Sequence, residues 1–123
     1  MATYKNLDVF KRSYELALKI HRLSLKLPKE LQYDLADQLR RASRSIPSNI
    51  AEGYSRNKSL RDKINFLKSA LGSNEEMLFN LKFLKDVRLI SSTEFQELYK
   101  EYIICGKQLT KLIKTLQSKN PSS

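Results

Sequence analysis

The sequence predicts an all-α protein, an up-down-up-down antiparallel four-helix bundle. The 123 residues include twenty Leu but only two Val, with three Gly, three Pro and no Trp. Sheet proteins favour β-branched residues and many turn residues, so this balance disfavours a sheet. Turn signals also divide the chain into four segments, each with apolar residues at helical spacing. Four helices joined by short loops in one small domain pack as a bundle.

Local signals place the ends of the four helices. Leu27 precedes Pro28 and so disfavours the α conformation, which ends the first helix. The polar run 55–58 separates the second helix from the third. The segments 59–62 and 91–94 resemble capping boxes and open the third and fourth helices. We predict one domain, 1–117, with helices at about 6–26, 30–54, 60–87 and 92–117, followed by a flexible tail, 118–123.

The predicted second helix shows the periodicity most clearly. Its apolar residues recur every three or four positions, as expected for a face turned towards a bundle core. They are Leu35, Leu39, Ala42, Ile46, Ile50 and Gly53. Pro47 lies inside this helix, where it removes a backbone donor and predicts a kink.

The first helix is apolar over much more of its surface than one neighbour requires. Its charged residues fall within an arc of about 100°, and the rest of the circumference is largely apolar. Phe79 and Phe83 also lie off the core face of the third helix. We therefore expect self-association through Phe10, Tyr14, Phe79 and Phe83. The alternative is that neighbouring helices cover the first helix and the two Phe side chains are simply exposed.

The chain carries a net charge of +10, with no basic tail. Residues 1–30 contribute +4 and each later segment contributes less, so the excess lies on folded helices. Such a domain attracts polyanions through counterion release. Candidate phosphate contacts are Lys11, Lys19, Arg22, Lys26, Arg40, Arg44, Lys100, Lys107, Lys111 and Lys114. Solvated polar faces would give the same stripes, and no motif for base-specific readout occurs.

A polar stripe follows one edge of the apolar face of the second helix. It comprises Gln38, Arg41, Ser45, Asn49 and Glu52. Groups at such an edge need hydrogen-bond partners, and Asp37 is placed to pair with Arg41. We favour a network that fixes the register of helices or subunits over a ligand site.

The residue inventory argues against catalysis. One Cys (Cys105) and one His (His21) cannot build a structural zinc site or a disulfide framework. Cys105 lies on an apolar stripe, and Glu75 and Glu76 point about 100° apart on a helix. We therefore expect no enzyme activity, no metal and no cofactor.

The N-terminal segment is polar and lacks the apolar core of a signal peptide. No stretch approaches the roughly 20 apolar residues of a membrane span. Together with the single Cys, this predicts a cytoplasmic protein with no membrane partner.

Residues 38–53, QLRRASRSIPSNIAEG, closely resemble the hallmark of the bacterial four helix bundle protein family. The segments 7–10 and 70–76 resemble its opening motif and its third-helix motif. Family members are encoded in intervening sequences of large-subunit ribosomal RNA genes and also as free-standing genes. Asp34 and Arg88 stand where the resemblance leads us to expect glycines, so we do not expect a left-handed helix cap at Arg88.

The resemblance implies a four-helix bundle, assembly as a homopentamer and no known enzymatic activity. A bundle of similar architecture is the accessory variability protein of diversity-generating retroelements, which binds nucleic acid and partners a reverse transcriptase. Two functions therefore remain open. One is an accessory protein that binds the backbone of RNA or DNA. The other is a protein-interaction scaffold that uses helix 1 and Phe79/Phe83, with the charge serving solubility.

Overall fold

A computed structural model describes residues 3–119 and confirms the all-α fold. Four α-helices account for most of this range, and no strand occurs within it. They are α1 (Asp8–Leu25), α2 (Leu35–Gly53), α3 (Leu60–Asp86) and α4 (Ser92–Gln117). Two 3-10 turns, Tyr4–Asn6 and Lys29–Leu31, precede α1 and α2.

Consecutive helices pack against each other, and a smaller contact between α1 and α4 closes the bundle. Cross-helix contacts show that α2 and α3 are antiparallel. Ser45 meets Ser73, whereas Gly53, further along α2, lies against Lys63, which comes earlier on α3. The four helices therefore form the bundle that the sequence predicts.

All four helices contribute to a single apolar core. Its fully buried members include Ile20 of α1, Leu39 and Ile46 of α2, Leu81 of α3 and Leu109 of α4. These residues lie on the apolar stripes of their helices, so burial of those stripes supplies the main stabilising term of the fold.

Side-chain caps begin α3 and α4 where the sequence predicts. The Ser59 hydroxyl accepts a hydrogen bond from the backbone N–H of Asp62 at 3.0 Å. Ser91 and Glu94 form the complete capping box, with each side chain accepting from the other residue's backbone N–H. Each cap satisfies donors that the first helical turn leaves unpaired.

The first two helices begin later than the sequence predicts. α1 starts at Asp8 rather than near residue 6, and α2 starts at Leu35 rather than near residue 30. In both places a 3-10 turn occupies the preceding residues. α2 then continues through Pro47, whose ring is buried. After α4, residues 118–119 form a turn, and the rest of the predicted tail lies outside the described residues.

The end of α3 corrects an expectation. Arg88 adopts a left-handed conformation, with φ of 65°. Its N–H donates to the carbonyl of Lys85, and the N–H of Leu89 donates to the carbonyl of Leu84 at 2.8 Å. This pair of bonds is the Schellman motif, which satisfies the last carbonyls of a helix. The expectation of no left-handed cap at Arg88 was therefore wrong, because these two hydrogen bonds and the buried Leu84 stabilise the conformation without a glycine.

Candidate interaction surfaces

Arg40 holds together the connection between α1 and α2. Its guanidinium donates to the hydroxyl of Ser24 at 2.8 Å, and to the side-chain and backbone oxygens of Gln32 at 3.2 and 2.9 Å. The Gln32 amide donates in turn to the carbonyls of Ser24 and Leu27. The sequence analysis assigned Arg40 to phosphate contact, but these bonds give it a structural role that the pattern did not predict.

The polar stripe of α2 is mostly paired locally. Gln38 donates to the carboxylate of Asp34, and Arg41 forms the expected ion pair with Asp37 at 3.2 Å. Arg41 is 75% exposed in its side chain, so this pair contributes little stability.

Two members of the stripe make contacts beyond α2. The hydroxyls of Ser45 and Ser73 lie 2.8 Å apart and join α2 to α3, and the Asn49 amide donates to Ser45. Glu52 pairs with Lys58 of the following loop. The Ser45–Ser73 contact joins two helices, and the role of the stripe in helix register stays a prediction.

The basic stripe of α1 faces the acidic side of α4. Lys19, Arg22 and Lys26 share a shallow groove with Glu94 and Glu97. Further towards the start of α1, Arg12 forms an ion pair with Glu101, and Asp8, Lys11 and Glu15 line a second groove together with this pair. Glu94, Glu97 and Glu101 of α4 therefore line the same grooves as the α1 cations, and the Arg12–Glu101 ion pair joins the two helices.

The lysines of α4 have a different environment. Lys107, Lys111 and Lys114 are exposed along a groove between α3 and α4, of about 590 Å³, whose floor includes Leu71, Leu78 and Ile103. Glu75 is the one carboxylate among the groove residues. Lys100 is also exposed but is not among the residues that line this groove. Three lysines against one carboxylate give this side of α4 a net positive charge.

A second groove, of about 510 Å³, lies between α1 and α2. Its α1 wall carries an aromatic series: the ring centroids of Tyr4 and Phe10 lie 4.8 Å apart, and those of Phe10 and Tyr14 lie 5.9 Å apart. Arg44 lines the α2 side and forms no ion pair within residues 3–119. Two of the four predicted interface aromatics therefore belong to one apolar groove.

The other two predicted interface residues lie on α3. Phe79 is 68% exposed and Phe83 is 45% exposed, although both are large and apolar. They point away from the core, as the sequence predicts, and lie on a different helix from the aromatic groove. The structure therefore separates the predicted interface residues into two distinct surfaces.

Cys105 occupies the kind of position that its apolar stripe indicates. Cys105 is fully buried, and burial raises the pKa of its thiol to about 12, which leaves almost no thiolate at neutral pH. His21 is exposed and lines the α1–α2 groove, without a hydrogen bond from its ring among the described contacts.

Asn74 is a feature of the α3–α4 groove that the periodicity does not single out. Its amide is buried and donates to the carbonyl of Tyr102 at 2.9 Å. A Cβ at Gly106 would lie 3.1 Å from the same amide nitrogen, so the glycine permits this close contact. The one available sequence signal was a glycine inside a helical pattern, which often marks close packing.

Residues 3–119 contain no group of three His, Cys, Asp or Glu side chains placed to hold a metal ion. Within the same range, no helix combines the length and apolar character needed to cross a membrane.

A family model described as 23S rRNA-intervening sequence protein matches residues 5–111. The chain is also similar to a crystal structure from Bacteroides thetaiotaomicron, described as a protein with unknown function from the S23 ribosomal protein family. The two are 28% identical, with a TM-score of 0.79 over 86% of this chain and 95% of the other. No curated protein matches the chain. These comparisons support the family resemblance of residues 38–53 and the four-helix fold.

Proposed function

The chain belongs to the 23S rRNA-intervening sequence protein family, and on that premise we propose that it is a nonenzymatic, homo-oligomeric accessory protein of the cytoplasm that binds the phosphate backbone of RNA or DNA. The observation that carries the proposal is the row of exposed lysines on α4, whose groove holds one carboxylate, Glu75, whereas two carboxylates of α4 line the groove of the α1 cations. Lys107, Lys111 and Lys114 are exposed, and none of them forms an ion pair within residues 3–119.

The spacing of these lysines suits a nucleic-acid backbone. At 1.5 Å of rise per residue, Lys107 and Lys114 are about 10 Å apart along α4. A strand of duplex DNA presents a phosphate about every 3.4 Å along the helix axis, so the row faces about three phosphates. Lys100 is exposed two helical turns before Lys107 on the same side of α4, and Arg44 is a further exposed cation on α2. Contacts of this kind bind without reading sequence.

The test compares two matched triple variants. Lys107, Lys111 and Lys114 become Gln in one, and Lys19, Arg22 and Lys26 become Gln in the other. Affinity for a fluorescent RNA and for a duplex DNA is measured across a salt series. Each phosphate contact contributes about 0.7–0.9 to the slope of log K against log salt. We expect the slope to fall by about 2–3 for the α4 variant and by less for the α1 variant, whose cations already face carboxylates.

Equal decreases of the salt slope in the two variants would contradict a particular role of the α4 lysines in binding. Absence of binding by the unmodified protein at low salt would contradict the whole proposal. The equal charge change in the two triple variants controls for a general loss of net charge.

A second candidate function is a protein-interaction scaffold, which the exposure of Phe79 and Phe83 favours. By analogy with the retroelement accessory protein, its partner could be a reverse transcriptase. The scaffold function predicts that nucleic acid changes neither the mass nor the stability of the purified protein. Light scattering with and without RNA distinguishes the two functions, because only nucleic-acid binding predicts a larger mass when RNA is added.

The same light-scattering measurement tests assembly. The family resemblance predicts a pentamer, with about five times the mass of the 14.3 kDa chain. A ring of five copies would multiply the exposed lysine rows and so strengthen attraction for a polyanion.

A further inference from the structure

An apolar patch on α3 remains exposed in the single chain. Phe79, Phe83 and Val87 recur every four residues, and each is at least 45% exposed. This spacing places them along one side of α3. We call these three residues the α3 patch. Such a run on a helix of a soluble protein marks a contact with another molecule more often than an isolated exposed Phe does.

Two neighbouring features of α3 fit a protein contact better than a nucleic-acid contact. Glu75 and Glu76 are exposed one turn before Phe79, and neither forms an ion pair within residues 3–119. Carboxylates beside the patch repel phosphates. Gly72 is also exposed, and a Cβ built there would meet no atom within 4 Å. A bare glycine in a helix leaves room for close approach by another chain.

The α1–α2 groove is a surface of complementary shape and charge. Its walls are Phe10, Tyr14, Leu18 and Pro47, and Arg44 lies at its edge. The charged side chains of the groove are basic, whereas the Phe79 end of the α3 patch carries the exposed Glu75 and Glu76; further along the patch, Lys82 and Asp86 pair with each other. The groove follows α2 from Arg40 to Ala51, about 16 Å at helical rise, and the patch from Phe79 to Val87 is about 12 Å long.

The patch and the groove of one chain cannot meet. α3 packs against α2 and α4, while the groove lies on the side of α2 that contacts α1. Any contact between the two surfaces therefore joins different copies. Pairing the patch with another patch would leave Glu75 and Glu76 without the exposed Arg44 that the groove offers.

We infer that the α3 patch of one chain docks in the α1–α2 groove of a second copy, with Glu75 and Glu76 facing Arg44. This inference rests on the proposed homo-oligomer and specifies its interface. The contact is head-to-tail, because it joins two different surfaces. Such contacts generate a closed ring when the rotation between copies closes, and an open filament when it does not. Phe79 and Phe83 are the buried anchors of the interface.

The first experiment disables each surface separately. One variant carries Phe79→Glu and Phe83→Glu, and the other carries Tyr14→Glu and Leu18→Glu. All four side chains are exposed, so the fold should survive, which circular dichroism and thermal melting verify. We expect each variant to have the mass of a single chain by sedimentation equilibrium. Gln96→Glu adds negative charge at an exposed α4 residue that belongs to neither surface, and should leave the oligomer unchanged.

The second experiment mixes the two disabled variants. One retains an intact groove and the other an intact patch, so a head-to-tail interface predicts a complex of two chains and no larger species. A mixture that remains monomeric, or that regains the full oligomer, contradicts this pairing. The inference is also overturned if the unmodified protein is monomeric, or if either variant keeps the full mass. Arg44→Glu, which reverses the charge at the groove, serves as a second groove variant should Tyr14→Glu and Leu18→Glu impair folding.

Nucleic-acid binding distinguishes failure of this inference from failure of the proposed function. The Phe79→Glu, Phe83→Glu variant retains Lys107, Lys111 and Lys114, so its salt slope per chain for RNA should match that of the unmodified protein. Loss of assembly with this slope retained supports both proposals. If this variant keeps the mass of the full oligomer and still binds RNA in a salt-dependent way, only the inferred interface is overturned and the proposed function stands.

Discussion

At the scale of single residues, Arg40 shows why a basic residue cannot be assigned to phosphate binding from its position in a pattern. Arg40 and Arg44 are one helical turn apart on α2, and the sequence treats them alike. In the folded chain Arg40 is half-buried and makes three hydrogen bonds, whereas Arg44 is exposed at a groove. The difference depends on Ser24 and Gln32, which approach Arg40 only after α1 and α2 have packed.

Replacing Arg40 with Gln should lower the free energy of unfolding by about 1–3 kcal/mol. The change removes charge-assisted hydrogen bonds and leaves the buried hydroxyl of Ser24 without one partner. Urea unfolding followed by circular dichroism measures the effect. Arg44→Gln removes the same charge from an exposed site and should change stability by no more than about 0.5 kcal/mol. Similar losses in the two variants would contradict the structural role of Arg40.

At the scale of elements, the sequence predicts helix positions best where the signal is local. The starts of α3 and α4 agree with prediction because Ser59 and Ser91 cap donors three residues away. The start of α2 was misplaced because a 3-10 turn, Lys29–Leu31, follows Pro28 with helix-like residues. Gln32 secures this connection through bonds to the carbonyls of Ser24, in α1, and Leu27, just after it, which no local pattern reveals.

The end of α3 gives a prediction at this scale. Arg88→Gly should raise the free energy of unfolding by about 1 kcal/mol, because a left-handed conformation with φ of 65° is strained for a residue with a Cβ and free for glycine. Urea unfolding measures the gain. Asn57→Gly is the matched control, since Asn57 has φ of 63° but Asn tolerates this region, so its gain should be smaller. A loss of stability on Arg88→Gly would show that the Arg88 side chain makes a stabilising contact.

At the scale of the whole molecule, the sequence predicts the bundle and the size of its charge, but not how that charge is distributed among the grooves between neighbouring helices. The four apolar stripes determine which residues are buried, because few arrangements bury all of them. Whether Lys19 or Lys111 faces carboxylates depends on which helix is its neighbour. Packing places Glu94, Glu97 and Glu101 beside α1 and leaves the outer side of α4 basic. The two apolar surfaces of the inferred interface likewise become distinct only when α1 and α3 occupy different sides of the bundle.

This charge distribution predicts how salt acts on stability. The ion pairs are at the surface, where each contributes about 0–1 kcal/mol, whereas the chain as a whole carries +10. Raising NaCl from about 0.01 to 0.2 M shortens the screening length from about 30 Å to below 10 Å. This screening weakens the repulsion among the many cations of the chain more than it weakens the attraction within the few ion pairs. We therefore expect Tm, measured by thermal melting, to rise by a few degrees with salt. All melts use one protein concentration, because self-association also raises Tm. In the variant with Lys107, Lys111 and Lys114 changed to Gln, the rise should be smaller, since these neighbours on α4 repel one another. A Tm that falls with salt would mean that ion pairs, and not net repulsion, dominate the electrostatic energy of the folded chain.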